Sequence, residues 1–184
     1  MKPYVKPLIL GTIGLVFLSS GLMGVIIGSW ETIPKLYYRF NPLVYNPPPD
    51  TTKISSEKLL TLINQERQGK GLKPFQENKT LAYIAYLRAK NIVDTQEFTH
   101  EATRSGLTNN KIATRLGYSY NDLRENLAIS NGTEEQIVKA WERSEKHAEN
   151  IFTNETLDAG IYNLGGDFWG EDRVVIVLIL GKDY

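Results

Sequence analysis

The run Arg173-Val174-Val175-Ile176-Val177-Leu178-Ile179-Leu180, near the carboxyl end of the chain, decides the fold. Seven aliphatic residues follow the arginine without interruption, and side chains branched at Cβ dominate them, which favours a β-strand. A strand with one solvated face would alternate apolar and polar residues, and this run does not. We therefore expect a central strand in a sheet that helices cover on both faces.

Two shorter segments are predicted to be strands as well. Glu125–Ser130 is brief, and Ala159–Leu164 alternates between apolar and less apolar residues. The segment Gly165–Asp172 is rich in glycine and polar residues. We expect it to form a long hairpin loop between the last two strands.

Apolar residues at helical spacing predict four helices ahead of or between these strands. Their expected limits are Ser55 or Ser56 to about Gly69, Lys79 to Gln96, Thr108 to Leu116, and a fourth from Thr133 onward. At its start the fourth has Thr-Glu-Glu-Gln, which fits a capping box. Helices followed by strands predict an α+β domain, with helices packed on a small antiparallel sheet.

The fourth helix is expected to be continuous and to carry one buried stripe. Its stripe consists of Ile137, Trp141, Ser144, Ala148 and Ile151, at steps of four, three, four and three residues. His147 lies one position beside this stripe, so we expect it to line the edge of a cleft.

Both histidines of the chain lie in distinctive sequence frames. The first frame is Phe98-Thr99-His100, the second is Trp141-Glu142-Arg143-Ser144-Glu145-Lys146-His147, and Glu125-Asn126-Leu127-Ala128 lies between them. In this order they resemble the CAP superfamily (cysteine-rich secretory proteins, antigen 5 and pathogenesis-related proteins) in its bacterial, SCP-like form. Asn64-Gln65-Glu66-Arg67 and Leu72-Lys73-Pro74-Phe75 are similar to that family's opening segments. The resemblance implies an α-β-α sandwich.

The resemblance also implies a cleft that contains His100, Glu125 and His147. The family's usual site has two histidines and two acidic residues, and the eukaryotic position of the second acid is Ser144 in this chain. Two imidazoles and a carboxylate suit Zn²⁺ with an open coordination position. We expect His100 and His147 as metal ligands. Glu125 either joins them or holds one imidazole in the required tautomer.

If Glu125 only orients a histidine, its loss should affect the metal more than the fold. We expect Glu125→Gln to weaken metal binding by about 10–100-fold and to leave the thermal midpoint close to that of the wild type. The alternative is a structural role, in which Glu125 stabilises the region beneath the cleft.

Composition excludes several other functions. The chain has 184 residues and no cysteine, which rules out disulfides, iron–sulfur clusters and thiol nucleophiles. Lys and Arg number 21, as do Asp and Glu, but residues 50–184 contain 17 basic and 20 acidic side chains. This mildly acidic part argues against nucleic-acid binding by phosphate neutralisation.

The amino-terminal segment predicts a membrane anchor. From Pro7 to Trp30 no residue is charged, and Leu8–Gly28 would extend about 30 Å as a helix, enough to cross the hydrocarbon layer. A cleaved signal peptide is the alternative, but its apolar region would be only about 7–15 residues long. We expect an uncleaved signal anchor.

We therefore expect a cytoplasmic stub over residues 1–7, a transmembrane helix over 8–30, a stalk over 31–52 and the CAP domain over 53–184. The stalk contains Pro47-Pro48-Pro49, which favours an extended spacer. Family resemblance implies that the domain is extracytoplasmic, on a single-pass protein of the cell membrane.

Three functions remain open from the sequence. The first is binding of an unidentified extracytoplasmic ligand or envelope component, with a cleft able to take a divalent metal. The second is a zinc-dependent hydrolase that acts on envelope peptides or peptidoglycan. A purely structural envelope protein is the third, and the presence of both histidines and Glu125 favours the other two over it. No G-x-S-x-G or H-E-x-x-H motif is present. Binding is the leading interpretation, although the residues themselves distinguish it little from the hydrolase.

Overall fold

The structure, a computed structural model, describes residues 45–155 and 157–182. The predicted stub over residues 1–7, the predicted transmembrane helix over 8–30 and the first part of the stalk lie outside the described residues. Within the two described ranges, no helix has both the length and the apolar character needed to cross a membrane.

Helices and strands alternate irregularly along the described residues. They are α1 (Ser56–Gly69), β1 (Gln76–Glu77), α2 (Lys79–Thr95), α3 (Asn109–Arg115), β2 (Asp122–Ser130), α4 (Glu134–Arg143), α5 (Glu145–Ile151), β3 (Asp158–Phe168) and β4 (Glu171–Lys182). The helices predicted from Ser55, Lys79 and Thr108 are therefore present, within one or two residues of their expected limits.

The four strands form one sheet in the order β1-β3-β4-β2. Strand β4 pairs antiparallel with both β2 and β3, whereas β1 pairs parallel with β3. The sheet that was predicted to be antiparallel therefore contains one parallel pairing, at this edge. Strand β1 has only two residues, both exposed, which is too short for a periodic sequence signal.

Strand β4 is buried on both faces, as its sequence predicts. Val174, Ile176, Leu178 and Leu180 belong to a core cluster with residues of α1, α4 and α5. The alternate residues Val175, Val177 and Ile179 belong to a second cluster with residues of α2 and α3. The sheet is thus the middle layer of three, and the α-β-α arrangement is present.

Both core clusters draw all their buried residues from the stretch between Ile54 and Leu180. The described residues of Leu43–Tyr184 also belong to one compact unit. Since the described residues of both core clusters lie within this part, we expect it to fold on its own. We refer to it below as the fragment 43–184.

The predicted fourth helix is interrupted at Ser144. Its capping box is present, with Thr133 and Gln136 bonding reciprocally, but Ser144 is extended (φ −93°, ψ 114°) and separates α4 from α5. Serine favours helix starts over helix interiors because its short polar side chain competes with the helical backbone. Trp141 and His147 consequently lie on different helices, contrary to the prediction.

The long hairpin loop predicted over Gly165–Asp172 is also wrong. Strands β3 and β4 stay paired up to Phe168 and Glu171, leaving only Trp169 and Gly170 in the turn. Both turn residues have positive φ, 58° and 80°, as two-residue hairpin turns that match the twist of the strands require. Gly165 and Gly166, two of the three glycines that suggested a loop, are paired within β3.

Gly160 in β3 allows helix α2 to lie directly on the sheet. A Cβ atom at this position would be 2.0 Å from the backbone nitrogen of Ala82. The side chain of Asn78 caps the helix, and its backbone N–H donates to the carbonyl of Ala159 at 2.9 Å. This close approach fixes the start of α2, the helix that leads to His100.

Candidate functional site

The three residues predicted to share a cleft come from three different elements. His100 lies in the loop after α2, Glu125 in β2 and His147 in α5. The Nδ1 atom of His100 is 2.8 Å from Oε1 of Glu125, and the ring centroids of His100 and His147 are 6.5 Å apart. Strand β2 is an edge strand, so groups from both helical layers can meet beside it.

Glu125 lies beneath this arrangement and has two partners, His100 and Arg88. Nε of Arg88 donates to Oε2 of Glu125 at 2.9 Å, and the two side chains are only 0% and 4% exposed. The other guanidinium nitrogens donate to the carbonyl of Thr99 and, at 3.4 Å, to Oδ1 of Asn91. One buried arginine therefore connects α2, β2 and the loop that carries His100.

Sequence reasoning missed Arg88, although a signal was present. Arg88 lies on the same helical face as the buried residues Ile84, Ala85 and Ile92. A charged residue within an apolar stripe needs a buried partner of opposite charge. That pattern by itself predicts an acidic partner for this position of α2.

The two oxygens of Glu125 are both engaged, one by Arg88 and one by His100. This geometry favours the orienting role of Glu125 over direct metal ligation. With Nδ1 of His100 held by the carboxylate, Nε2 is the nitrogen left to bind a ligand. The His100 side chain is 54% exposed, so this nitrogen is accessible from solvent.

The surroundings give the two imidazoles different acidities. The hydrogen bond from Glu125 raises the pKa of His100 above its ordinary value. Burial lowers the pKa of His147, and repulsion from His100 lowers it further. As the pH falls through the imidazole range, His100 is therefore the first of the pair to become charged.

Asn126 and Leu127 hold the helices of the second histidine frame against β2. The Asn126 amide donates to the backbone carbonyl of His147 at 3.1 Å and accepts from Asn150 at 2.7 Å. The carbonyl of Leu127 accepts from the indole nitrogen of Trp141 at 3.2 Å. The Glu-Asn-Leu-Ala frame thus positions both α4 and α5.

Sequence analysis also missed Glu97. This acidic residue organises the loop that carries His100. Its side-chain oxygens accept from the backbone N–H groups of Thr103 and Arg104, at 2.7 and 2.8 Å, and from the hydroxyls of Thr99 and Thr103. These bonds, led by that from the Thr103 hydroxyl, lower the pKa of Glu97 to about 2. The loop from Glu97 to Arg104 therefore closes around one carboxylate.

We expect Glu97→Gln to accelerate hydrogen exchange at the Thr103 and Arg104 amides, because a neutral amide accepts more weakly than a carboxylate. Because the pKa of Glu97 is lower in the folded protein than in the unfolded chain, its ionised carboxylate stabilises the folded state at pH values above the unfolded-state pKa. That contribution should disappear as the pH falls from about 4 towards 2. Exchange measured by NMR at several pH values checks both statements.

Glu101→Gln is the matched control, since Glu101 lies in the same loop and is exposed. It should leave exchange at Thr103 and Arg104 unchanged. Equal exchange in the wild type and Glu97→Gln would contradict the role given to Glu97.

Two further residues that lie near the histidines in the sequence, Arg104 and Ser144, have other places in the structure. Arg104 donates to the carbonyl of Thr95, and Ser144 lies at the helix break. Among the residues described, no group of three or more histidine, aspartate and glutamate side chains could hold a metal ion.

Known proteins resemble this chain over the same region. The model of the cysteine-rich secretory protein family (CAP) matches residues 60–171. The uncharacterized protein YkwD of Bacillus subtilis is 33% identical over 127 residues, which are 68% of this chain and 49% of that protein. The chain thus spans about half the length of this relative.

Solved structures share the fold. An outer surface protein of Borrelia burgdorferi has a TM-score of 0.62 and 25% identity, over 70% of this chain and 92% of that one. A cysteine-rich secretory protein of Staphylococcus aureus scores 0.53 at 20% identity, over 69% of this chain and 38% of that one. An extracellular SCP-domain protein of Bacillus anthracis scores 0.54 at 20% identity, over 67% and 39%.

Proposed function

The chain belongs to the cysteine-rich secretory protein (CAP) family, and we propose that it is a membrane-anchored, extracytoplasmic binding protein with a cleft able to take a divalent metal. One observation carries this proposal. The only two histidines of the chain have ring centroids 6.5 Å apart at the edge of the sheet. The proposed partner is an extracytoplasmic ligand or envelope component.

The two imidazoles fit Zn²⁺ as a site in which the protein supplies only some of the metal ligands. Imidazole nitrogens are among the preferred ligands of zinc, and an imidazole whose other nitrogen bonds a carboxylate is the usual arrangement around bound metals. His100 with Glu125 has that arrangement. His100 and His147 would hold the ion, which would supply a Lewis acid to a bound ligand.

The location rests on separate arguments. The uncharged run from Pro7 to Trp30 is long enough to cross a bilayer. A structural relative at 25% identity is described as an outer surface protein. Protease treatment of intact cells should therefore release a fragment that begins near Pro47–Pro49. Complete protection of the domain would contradict an extracytoplasmic location.

We expect the fragment 43–184 to bind Zn²⁺ and His100→Ala and His147→Ala each to weaken that binding strongly. The loss should exceed the roughly 10–100-fold that removal of an outer-shell partner costs, since one imidazole alone remains. Binding should also weaken as the pH falls through the raised pKa of His100, because protonated imidazoles cannot bind a metal. Titration calorimetry at two pH values measures both effects.

Lys146→Ala is the matched control, because this exposed residue precedes His147 in α5 and has no metal-binding nitrogen at neutral pH. It should bind zinc as the wild type does. Equal zinc affinity for the wild type and His100→Ala would refute a shared site.

The alternative of a zinc-dependent hydrolase makes a different prediction. Incubation of the fragment with envelope peptides or peptidoglycan would then release soluble products, and a chelator would stop the release. Binding without release supports the proposal made here.

A further inference from the structure

A second cavity lies away from the histidine cleft, between α2 and α3. Its volume is about 310 Å³, at the lower end of the range for small-molecule sites. Its apolar walls come from Leu87, Leu107, Ile112 and Leu116, which belong to or pack against the second core cluster. The cavity is therefore an indentation with a rigid apolar floor.

One wall of this cavity offers a hydrogen-bond donor. Asn91 lines the cavity and is only 8% exposed. Its Oδ1 accepts from Arg88 at 3.4 Å and from the Ser105 hydroxyl at 3.0 Å. Because two donors fix the orientation of the amide, Nδ2 is the atom left over, and it bonds no described residue. Nδ2 is not among the fully buried polar atoms that lack a partner, so it is accessible and can donate to a ligand that carries an acceptor.

The charges around the opening favour an anionic ligand. Lys90 and Asp94 form an ion pair at 2.6 Å and neutralise each other. Arg115 also lines the cavity, and in the described ranges it has no ion pair. One positive charge therefore remains, next to an amide donor and an apolar pocket.

We infer that this cavity, which we call the α2–α3 pocket, binds the apolar carboxyl-terminal residue of a peptide. The pocket has space for about ten water molecules at some 30 Å³ each, enough for one apolar side chain with its carboxylate. Asn91 Nδ2 and Arg115 would bind the carboxylate. The Lys90–Asp94 pair at the rim offers a donor and an acceptor for the preceding peptide group, which a simple aliphatic acid lacks.

The test uses the fragment 43–184 and three probes, followed by amide NMR shifts. N-acetyl-alanyl-leucine carries the side chain, the carboxylate and the peptide group; its carboxyl-terminal amide lacks the charge; 4-methylpentanoate lacks the peptide group. We expect saturable shifts in residues 87–94 and 107–116 with the first probe. The amide should bind at least about tenfold more weakly, as expected when a charge-assisted bond is lost.

Two variants test the proposed contacts. Asn91→Asp keeps an oxygen for Arg88 and Ser105 but replaces the donor with a carboxylate, and it should weaken binding at least about tenfold. Arg115→Gln changes an exposed side chain without risk to the fold and should weaken binding about two- to fivefold. Arg143→Gln, an exposed arginine of α4 outside the pocket, is the control and should bind as the wild type does.

The outcomes separate clearly. Equal binding of the acid and its amide, or wild-type affinity in both Asn91→Asp and Arg115→Gln, would overturn the pocket assignment. Equal affinity for 4-methylpentanoate and the peptide would overturn the peptide as occupant. His100→Ala should bind the peptide normally, so loss of zinc binding in that variant leaves this inference standing.

Discussion

Glu125→Gln is expected to lower the free energy of unfolding by about 3–5 kcal/mol. The substitution removes the carboxylate that faces the Arg88 guanidinium at 2.9 Å, and the arginine side chain is fully buried. An uncompensated buried charge is costly because the interior cannot solvate it. The sequence-based expectation of an unchanged thermal midpoint did not include Arg88, and the ion pair reverses it.

Urea unfolding of the fragment 43–184 measures this change. Asp122→Asn is the matched control, since Asp122 pairs with Arg124 on the same strand but both side chains are more than a fifth exposed; it should cost at most about 1 kcal/mol. Arg88→Met combined with Glu125→Gln should recover much of the loss, because no buried charge then remains unpaired. A wild-type midpoint for Glu125→Gln would show that the pair contributes little.

Trp141→Ala is expected to cost about 3–5 kcal/mol through the cavity that it creates. The indole is 1% exposed, lies in the first core cluster and donates to the carbonyl of Leu127. That carbonyl would lose a buried partner as well. A domain whose net stability is only about 5–15 kcal/mol would be severely weakened.

His147→Ala is the comparison, and its effect on stability should be much smaller. His147 is half-buried, and the Asn126 bond goes to its backbone carbonyl, which alanine retains. Unfolding curves and zinc titrations of both variants separate the roles. If His147→Ala destabilises as much as Trp141→Ala and the wild type shows no zinc response, His147 is a core residue and the cleft hypothesis fails.

Local sequence signals predicted the elements that depend on local physics. Ser55, Asn78, Thr108 and Thr133 accept backbone bonds at the four predicted helix starts, and the β4 run is buried on both faces. Buried residues recur at helical spacing on both sides of Ser144, so the spacing of apolar residues could not reveal the break between α4 and α5. The turn at Trp169 was missed because glycines within a paired strand resemble a loop.

The candidate site was predictable only where the sequence frames mark it. His100, Glu125 and His147 follow from the family resemblance, and the structure places the first two in contact. The position of Arg88 in the apolar stripe of α2 indicated a buried acidic partner, but the identity of that partner, 37 residues away, depends on the fold. Glu97 was missed because its role depends on the conformation of the loop that it closes. The second acidic ligand of the family was sought near Ser144, and the described residues bring no further carboxylate into such a group.

The break at Ser144 has a consequence for how this protein tolerates insertions. Adjacent residues of β2 hold the two sides of the break separately, through the Trp141 indole and the His147 carbonyl. Lengthening the chain between these two tethers would slip one helix along the strand while the other stayed in register. The number of residues between Trp141 and His147 is therefore fixed by contacts at both of its ends.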